Sequence, residues 1–201
     1  MVRWEPDSRG RLMEAALALY GERGFDNTTV AEIAERAGLT ERTFFRHFAD
    51  KREVLFGGGE EFEDALVGTV ARAPQSMAPI DAVAGGLEAA AAMLEERREF
   101  ARRRQSIIAA SAELRERELI KLASVSSALA DTLRARGLPD ATATLTGEIA
   151  MAVFRTAYER WLDEANRQAF PKLIRESLGQ LKDVVGANRG RPARGKKLAR
   201  S

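Results

Sequence analysis

The sequence predicts an all-α protein, and three observations carry that prediction. Alanine occurs 35 times in 201 residues, against 27 for Val, Ile and Thr together, so the strongest helix former outnumbers the β-branched residues. Apolar residues recur at i, i+3, i+4 and i+7 along almost the whole chain. Nowhere is there the strict alternation of a half-buried strand.

Each element has its own signals. Leu12, Ala16, Leu19 and Tyr20 form the apolar face of a first helix over about Ser8–Arg23, which Gly24 stops. Val30, Ile33, Ala34 and Ala37 repeat the pattern in a short second helix. Its start, Thr29-Val30-Ala31-Glu32, is a capping box, with a hydroxyl for an orphan N–H and a carboxylate that reaches back. Gly38 ends it, and Thr40 caps a third helix, about Glu41–Phe48, with Phe44 and Phe48 on one face. Asp50 is read as the cap of a fourth helix running from Lys51 to about Arg72. Pro74 and Pro79 mark a break, and Pro79 suits a first helical position. Ile80, Val83, Leu87, Ala90, Ala91 and Leu94 then line a fifth helix, and a shorter one is expected over Arg102–Ala110. Leu114, Leu122, Val125, Leu129 and Leu133 give a long helix ending at Gly137, and Pro139-Asp140 opens another over Ala141–Ala165. Pro171 opens the last, with Phe170, Ile174, Leu178, Leu181 and Val185 as its stripe.

Composition excludes several chemistries. There is no cysteine, hence no disulfide, zinc–thiolate site, iron–sulfur cluster or thiol nucleophile. The single histidine, His47, nearly excludes a Ser-His-Asp hydrolase or a His-rich metal site. An oxygen-ligand Mg²⁺ or Ca²⁺ site is left open. Gly57-Gly58-Gly59 lacks the lysine and preceding strand of a phosphate-binding loop. No catalytic residues, no metal and no cofactor are expected. No apolar run approaches the ~18 residues of a membrane span, and no signal-peptide pattern opens the chain, so a cytoplasmic location with no membrane partner is expected. Net charge is +2, but residues 187–201 hold six basic residues and no acid. The remainder carries 26 basic against 30 acidic residues, so overall basicity says little about nucleic acid, and local placement must decide.

Local placement points to Thr28–Lys51. Two short helices joined by a tight turn at Gly38-Leu39-Thr40 make a helix-turn-helix, and Val30, Ile33, Ala34, Leu39, Phe44 and Phe48 are the positions that would pack it on the first helix. The outer face of its second helix is then free to enter the major groove. Over about Arg9–Leu55 the residues Leu12, Ala15-Ala16, Leu19-Tyr20, Gly24-Phe25, Thr28-Thr29-Val30, Ile33-Ala34, Ala37-Gly38-Leu39-Thr40, Thr43-Phe44-Phe45, His47-Phe48, Lys51 and Leu55 make the chain similar to the tetracycline-repressor (TetR) family of regulators. Beyond Leu55 only the number, length and order of helices resemble it.

The resemblance implies an N-terminal helix-turn-helix DNA-binding domain (residues 1–52), a C-terminal helical effector-binding and dimerisation domain (53–186) and a basic tail (187–201). It implies a homodimer on a near-palindromic double-stranded DNA operator, released by a small molecule and acting as a repressor. Arg42 and Arg46, on the exposed face, suit guanine O6 and N7; Glu41 suits cytosine N4 or the helix N-terminus. Thr29, Thr43, His47 and Lys51 match positions that usually touch phosphate. The family usually has tyrosine, bonding phosphate, where this chain has Phe45, which carries no hydroxyl. The helices 141–165 and 171–185 are implied to form a four-helix bundle across a two-fold axis, and both read as apolar on more than one face. The effector pocket is expected among Phe62, Leu66, Met93, Leu122, Met151, Phe154, Tyr158 and Trp161. With Tyr158 and Glu159 its foremost polar groups, the effector is expected to be largely apolar. The run Arg97-Arg98, Arg102-Arg103-Arg104 reads as a solvated surface; the tail reads first as a generic basic segment that strengthens non-specific DNA binding, with Asn188-Arg189-Gly190-Arg191-Pro192 resembling a minor-groove AT-hook as the alternative. The rival reading is an architectural DNA-binding protein without effector.

Overall fold

The computed structural model describes residues 8–186, so the basic tail and its Gly-Arg-Pro core lie outside the described residues. Nine α-helices are present among them: α1 (Ser8–Arg23), α2 (Val30–Arg36), α3 (Glu41–His47), α4 (Gly59–Arg72), α5 (Pro79–Leu94), α6 (Arg98–Ala110), α7 (Ala112–Ala135), α8 (Asp140–Leu162) and α9 (Phe170–Gly186). The described residues hold no strand. None of the helices is long and apolar enough to cross a membrane.

The caps form as their residue types require. The Thr29 hydroxyl accepts from the Glu32 amide, and the Glu32 carboxylate accepts from the Thr29 amide at 2.8 Å. Thr40 accepts from the Thr43 amide and opens α3. Between α2 and α3, Gly38 has φ +66°, the left-handed conformation in which a side chain is strained; an added Cβ there would also lie 2.8 Å from the Arg11 guanidinium.

The fourth helix departs from the sequence reading. It starts at Gly59, not Lys51. The Asp50 carboxylate does cap, accepting from the amides of Arg52 and Glu53, but it opens only a short 3-10 turn, Glu53–Phe56, before Gly57 and Gly58. The cause is burial. Val54, Leu55 and Phe56 are all buried, and an α-helix would spread three consecutive side chains over about 200° of its circumference. The glycines after them favour a break over continuation. The sixth helix also starts earlier than read, at Arg98.

Two apolar cores result. The first joins α1–α3 to the 3-10 turn through Leu12, Leu17, Ile33, Phe44 and Val54, and is completed by Ile107, Ile108 and Leu114 from α6 and α7. The second fills a ring in which α4 packs on α5, α5 on α9, α9 on α8, α8 on α7, and α7 back on α4. Within the ring, α7 and α8 approach closely: a Cβ at Gly147 would lie 2.6 Å from the Ser126 carbonyl oxygen. The expectation that α9 is apolar on more than one face is not met. It buries Phe170, Leu173, Ile174 and Leu178 and exposes Lys172, Arg175, Lys182 and Asp183. Its stripe reads as broad in sequence because Val184 and Val185 continue it past the body of the protein, where both are exposed.

Candidate DNA-reading face and effector core

The reading face is built on α3. Phe44 is fully buried and Phe48 nearly so, and both pin the helix to α1. That orientation leaves Glu41, Arg42, Phe45 and Arg46 exposed. They form two adjacent rows at i, i+4 spacing, Glu41 with Phe45 and Arg42 with Arg46. Thr43 and His47, half-buried, flank the face. His47 Nε2 shares a hydrogen bond of 2.8 Å with the Ser8 hydroxyl, tying α3 to the start of α1. Burial, aided by the Arg46 and Arg9 guanidiniums, holds the imidazole below its ordinary pKa, so the ring is neutral at pH 7. Thr29, exposed at the start of α2, keeps its hydroxyl in the capping box.

Lys51 is placed differently from the helix-start position read in sequence. With no helix beginning there, its ammonium turns inward, donating to the Phe25 carbonyl at 2.9 Å and the Thr28 carbonyl at 3.1 Å, 4.3 Å from the Phe25 ring centroid. Its own carbonyl accepts from the Tyr20 hydroxyl at 2.6 Å. Lys51 therefore holds the loop that carries Thr29. The expected result for Lys51→Met is a fall of several degrees in melting temperature, because two carbonyls lose a charged donor worth roughly 1.5–3 kcal/mol. The slope of log affinity against log salt on any DNA should stay at the wild-type value; a slope lower by about one would mean that Lys51 leaves this site to meet a phosphate.

Of the eight residues expected to line an effector pocket, seven come together. Leu66 and Trp161 are fully buried, Met151 and Phe154 are buried, and Phe62, Leu122 and Tyr158 pack against the same core. Phe154 lies 4.8 Å from Phe62, 5.5 Å from Tyr158 and 5.7 Å from Phe170, ring to ring, and Trp161 stacks on Phe170 at 4.7 Å. Met93 does not join them. It is 48% exposed in the last turn of α5, where no neighbouring element covers it, and helical spacing alone gives no sign of where that cover ends. A surface groove of about 440 Å³ between α7 and α8 reaches Leu122 and Met151 from outside; Leu119, Ser126, Glu148 and Arg155 are among its walls.

Sequence reasoning missed Arg104. Its Nε donates to the Leu55 carbonyl of the 3-10 turn at 2.7 Å and one Nη to Glu118 of α7 at 3.1 Å, with the guanidinium 4.9 Å from the Phe56 ring centroid. Gln105 donates to the same Glu118. Burial raises the Tyr158 hydroxyl's pKa, opposed by the neighbouring Arg104. One side chain thus links the aromatic core to the base of the reading head. The rest of the basic run is also partly structural: Arg98 and Arg102 donate to the carbonyls of Leu162, Asp163 and Asn166 at the end of α8. The available signal was the i, i+4 spacing of residues 98 and 102, which puts both on one face. Among the described residues, no cluster of side chains is arranged to hold a metal ion.

Residues 12–56 match the family described as "Bacterial regulatory proteins, tetR family", and residues 77–186 match the "MftR C-terminal domain". Over 179 residues, 88% of each chain, the protein is 26% identical to the putative mycofactocin biosynthesis transcriptional regulator MftR of Mycobacterium tuberculosis. It is 35% identical over 82 residues to the HTH-type transcriptional regulator TcmR of Streptomyces glaucescens, a match that spans 41% of this chain and 36% of that one. Among solved structures it resembles the complex of SmeT, a repressor of a Stenotrophomonas maltophilia multidrug efflux pump, with triclosan: TM-score 0.59, 20% identity, 96% of this chain and 99% of that one.

Proposed function

The chain belongs to the TetR family of bacterial transcriptional regulators, which are DNA-binding proteins and not enzymes, and from that premise we propose that it acts as a homodimeric repressor. It binds a near-palindromic operator and is released by a largely apolar small molecule. The observation that carries this reading is the exposed face of α3, where two arginines stand at i, i+4 on a helix pinned by two buried phenylalanines. Each arginine offers the planar fork that guanine O6 and N7 accept. Thr29, Thr43 and His47 supply neutral phosphate contacts around it.

The effector is proposed to bind within the ring, against Phe62, Phe154 and Tyr158, with the Tyr158 hydroxyl as its polar contact. SmeT has been solved in complex with triclosan, and a small, largely apolar ligand suits this lining. Displacing Tyr158 disturbs Arg104 and, through the Leu55 carbonyl, the 3-10 turn beneath the reading head. A coupling of about 1–3 kcal/mol along that route is enough to change operator occupancy several-fold. Dimerisation is proposed through the outer faces of α8 and α9. Leu145, Ala152, Arg155 and Glu159 of one helix and Lys172, Gly179 and Lys182 of the other supply small residues and both signs of charge.

Selection of bound DNA from a random pool at near-physiological salt tests the reading. A consensus with two inverted half-sites, separated centre to centre by about one helical turn, is the expected outcome. Recovery of no consensus, or of half-sites singly, rejects the dimeric operator reader.

A further inference from the structure

We propose that Phe45 is a specificity-determining residue, and that its ring packs on the C5-methyl group of a thymine in each operator half-site. The inference rests on the DNA-reading function proposed above and adds to it a base and an atom. Neighbouring positions on α3 set the observation. Phe44 is fully buried and His47 is half-buried, yet Phe45 is 54% exposed. Among the described residues of α1–α3 and the 3-10 turn, it is the one large apolar side chain left exposed. A single exposed apolar side chain is ordinary in itself; Phe45 is set apart by standing beside the exposed Arg42 and Arg46 on the face of α3 that would meet DNA.

Its position narrows the occupant. Phe45 shares a row with Glu41 and lies three residues from Arg42 on the face that enters the groove. The ring is held against Phe44 at 5.5 Å and 81°, edge to face, so it is already oriented when DNA arrives. It has no hydroxyl and offers a phosphate nothing. In the major groove, the apolar feature of the base-pair edges is the thymine methyl. Deoxyribose carbons are also apolar, but every nucleotide carries them, and contact with them would give no preference.

The test removes that methyl alone. With the consensus from the random-pool selection, each invariant dT is replaced in turn by dU, and affinity is read by fluorescence anisotropy at fixed salt. One thymine per half-site should respond, with about a fourfold loss when one methyl is removed and about fifteenfold when both half-sites lose it, from the transfer free energy of a buried methyl. The Phe45→Ala protein should bind dT and dU operators equally well, and its melting temperature should fall by no more than a few degrees, because the half-exposed ring touches the core only at Phe44. Equal wild-type affinity for all dT and dU operators, or a Phe45→Ala protein that still distinguishes them, overturns the role of Phe45 and leaves operator reading intact. Failure to enrich any consensus removes the operator reading itself, and the role of Phe45 with it.

Discussion

Replacing Trp161 with alanine should cost about 3–5 kcal/mol of stability, the range for truncating a fully buried large aromatic side chain. Trp161 has no solvent exposure. It stacks on Phe170 at an interplanar angle of 12°, leans on Tyr158 at 5.8 Å, and has the Arg98 guanidinium 5.7 Å from its ring. It therefore ties α8 to α9 and to the start of α6. Against a total stability of about 5–15 kcal/mol, such a loss removes between about a fifth and all of the folding margin. Urea unfolding followed by circular dichroism measures it. Trp161→Phe is the informative comparison. The indole Nε1 is buried without a hydrogen-bond partner in the described structure, so phenylalanine removes an unsatisfied donor while keeping most of the stack. It should cost less than half as much as alanine. Equal costs for the two variants would mean that the indole's outer six-membered ring, which phenylalanine does not reach, holds the contact.

The second large effect is on function. Arg42→Ala and Arg46→Ala should each weaken operator binding by about 1–3 kcal/mol, roughly five- to 150-fold, and relax preference at one base pair per half-site. Neither should affect folding. Arg42 makes no hydrogen bond or ion pair among the described residues, and Arg46 makes only a long contact of 3.4 Å with His47. Affinities for the selected operator and its single-base variants separate two outcomes. A loss confined to the cognate base supports direct reading of guanine. An equal loss on every sequence, with a salt slope smaller by about one, would move that arginine to the phosphate backbone.

Several features of this protein are written in the sequence because they are local. The capping box at Thr29 and Glu32, the left-handed Gly38 and the register of Phe44 and Phe48 on α3 depend on residues within one or two turns of each other. The exposed rows Glu41–Phe45 and Arg42–Arg46 follow from that register. Helical period likewise places Leu66, Met151, Phe154 and Trp161 on the buried faces of their own helices.

Other features were decided by residues far apart in the chain. Lys51 reads as a free cation at a helix start, yet its ammonium is held by carbonyls 26 and 23 residues earlier. Arg104 reads as part of a charged surface, yet it bonds a carbonyl 49 residues away. Met93 has the chemistry of a pocket residue but stands about half exposed in the last turn of α5. A charged or flexible side chain is soluble in either setting, so its own sequence neighbourhood does not fix its partner. Buried apolar groups have a period that declares their face, whereas the destination of a long polar side chain depends on which backbone carbonyls the packed helices leave within its reach.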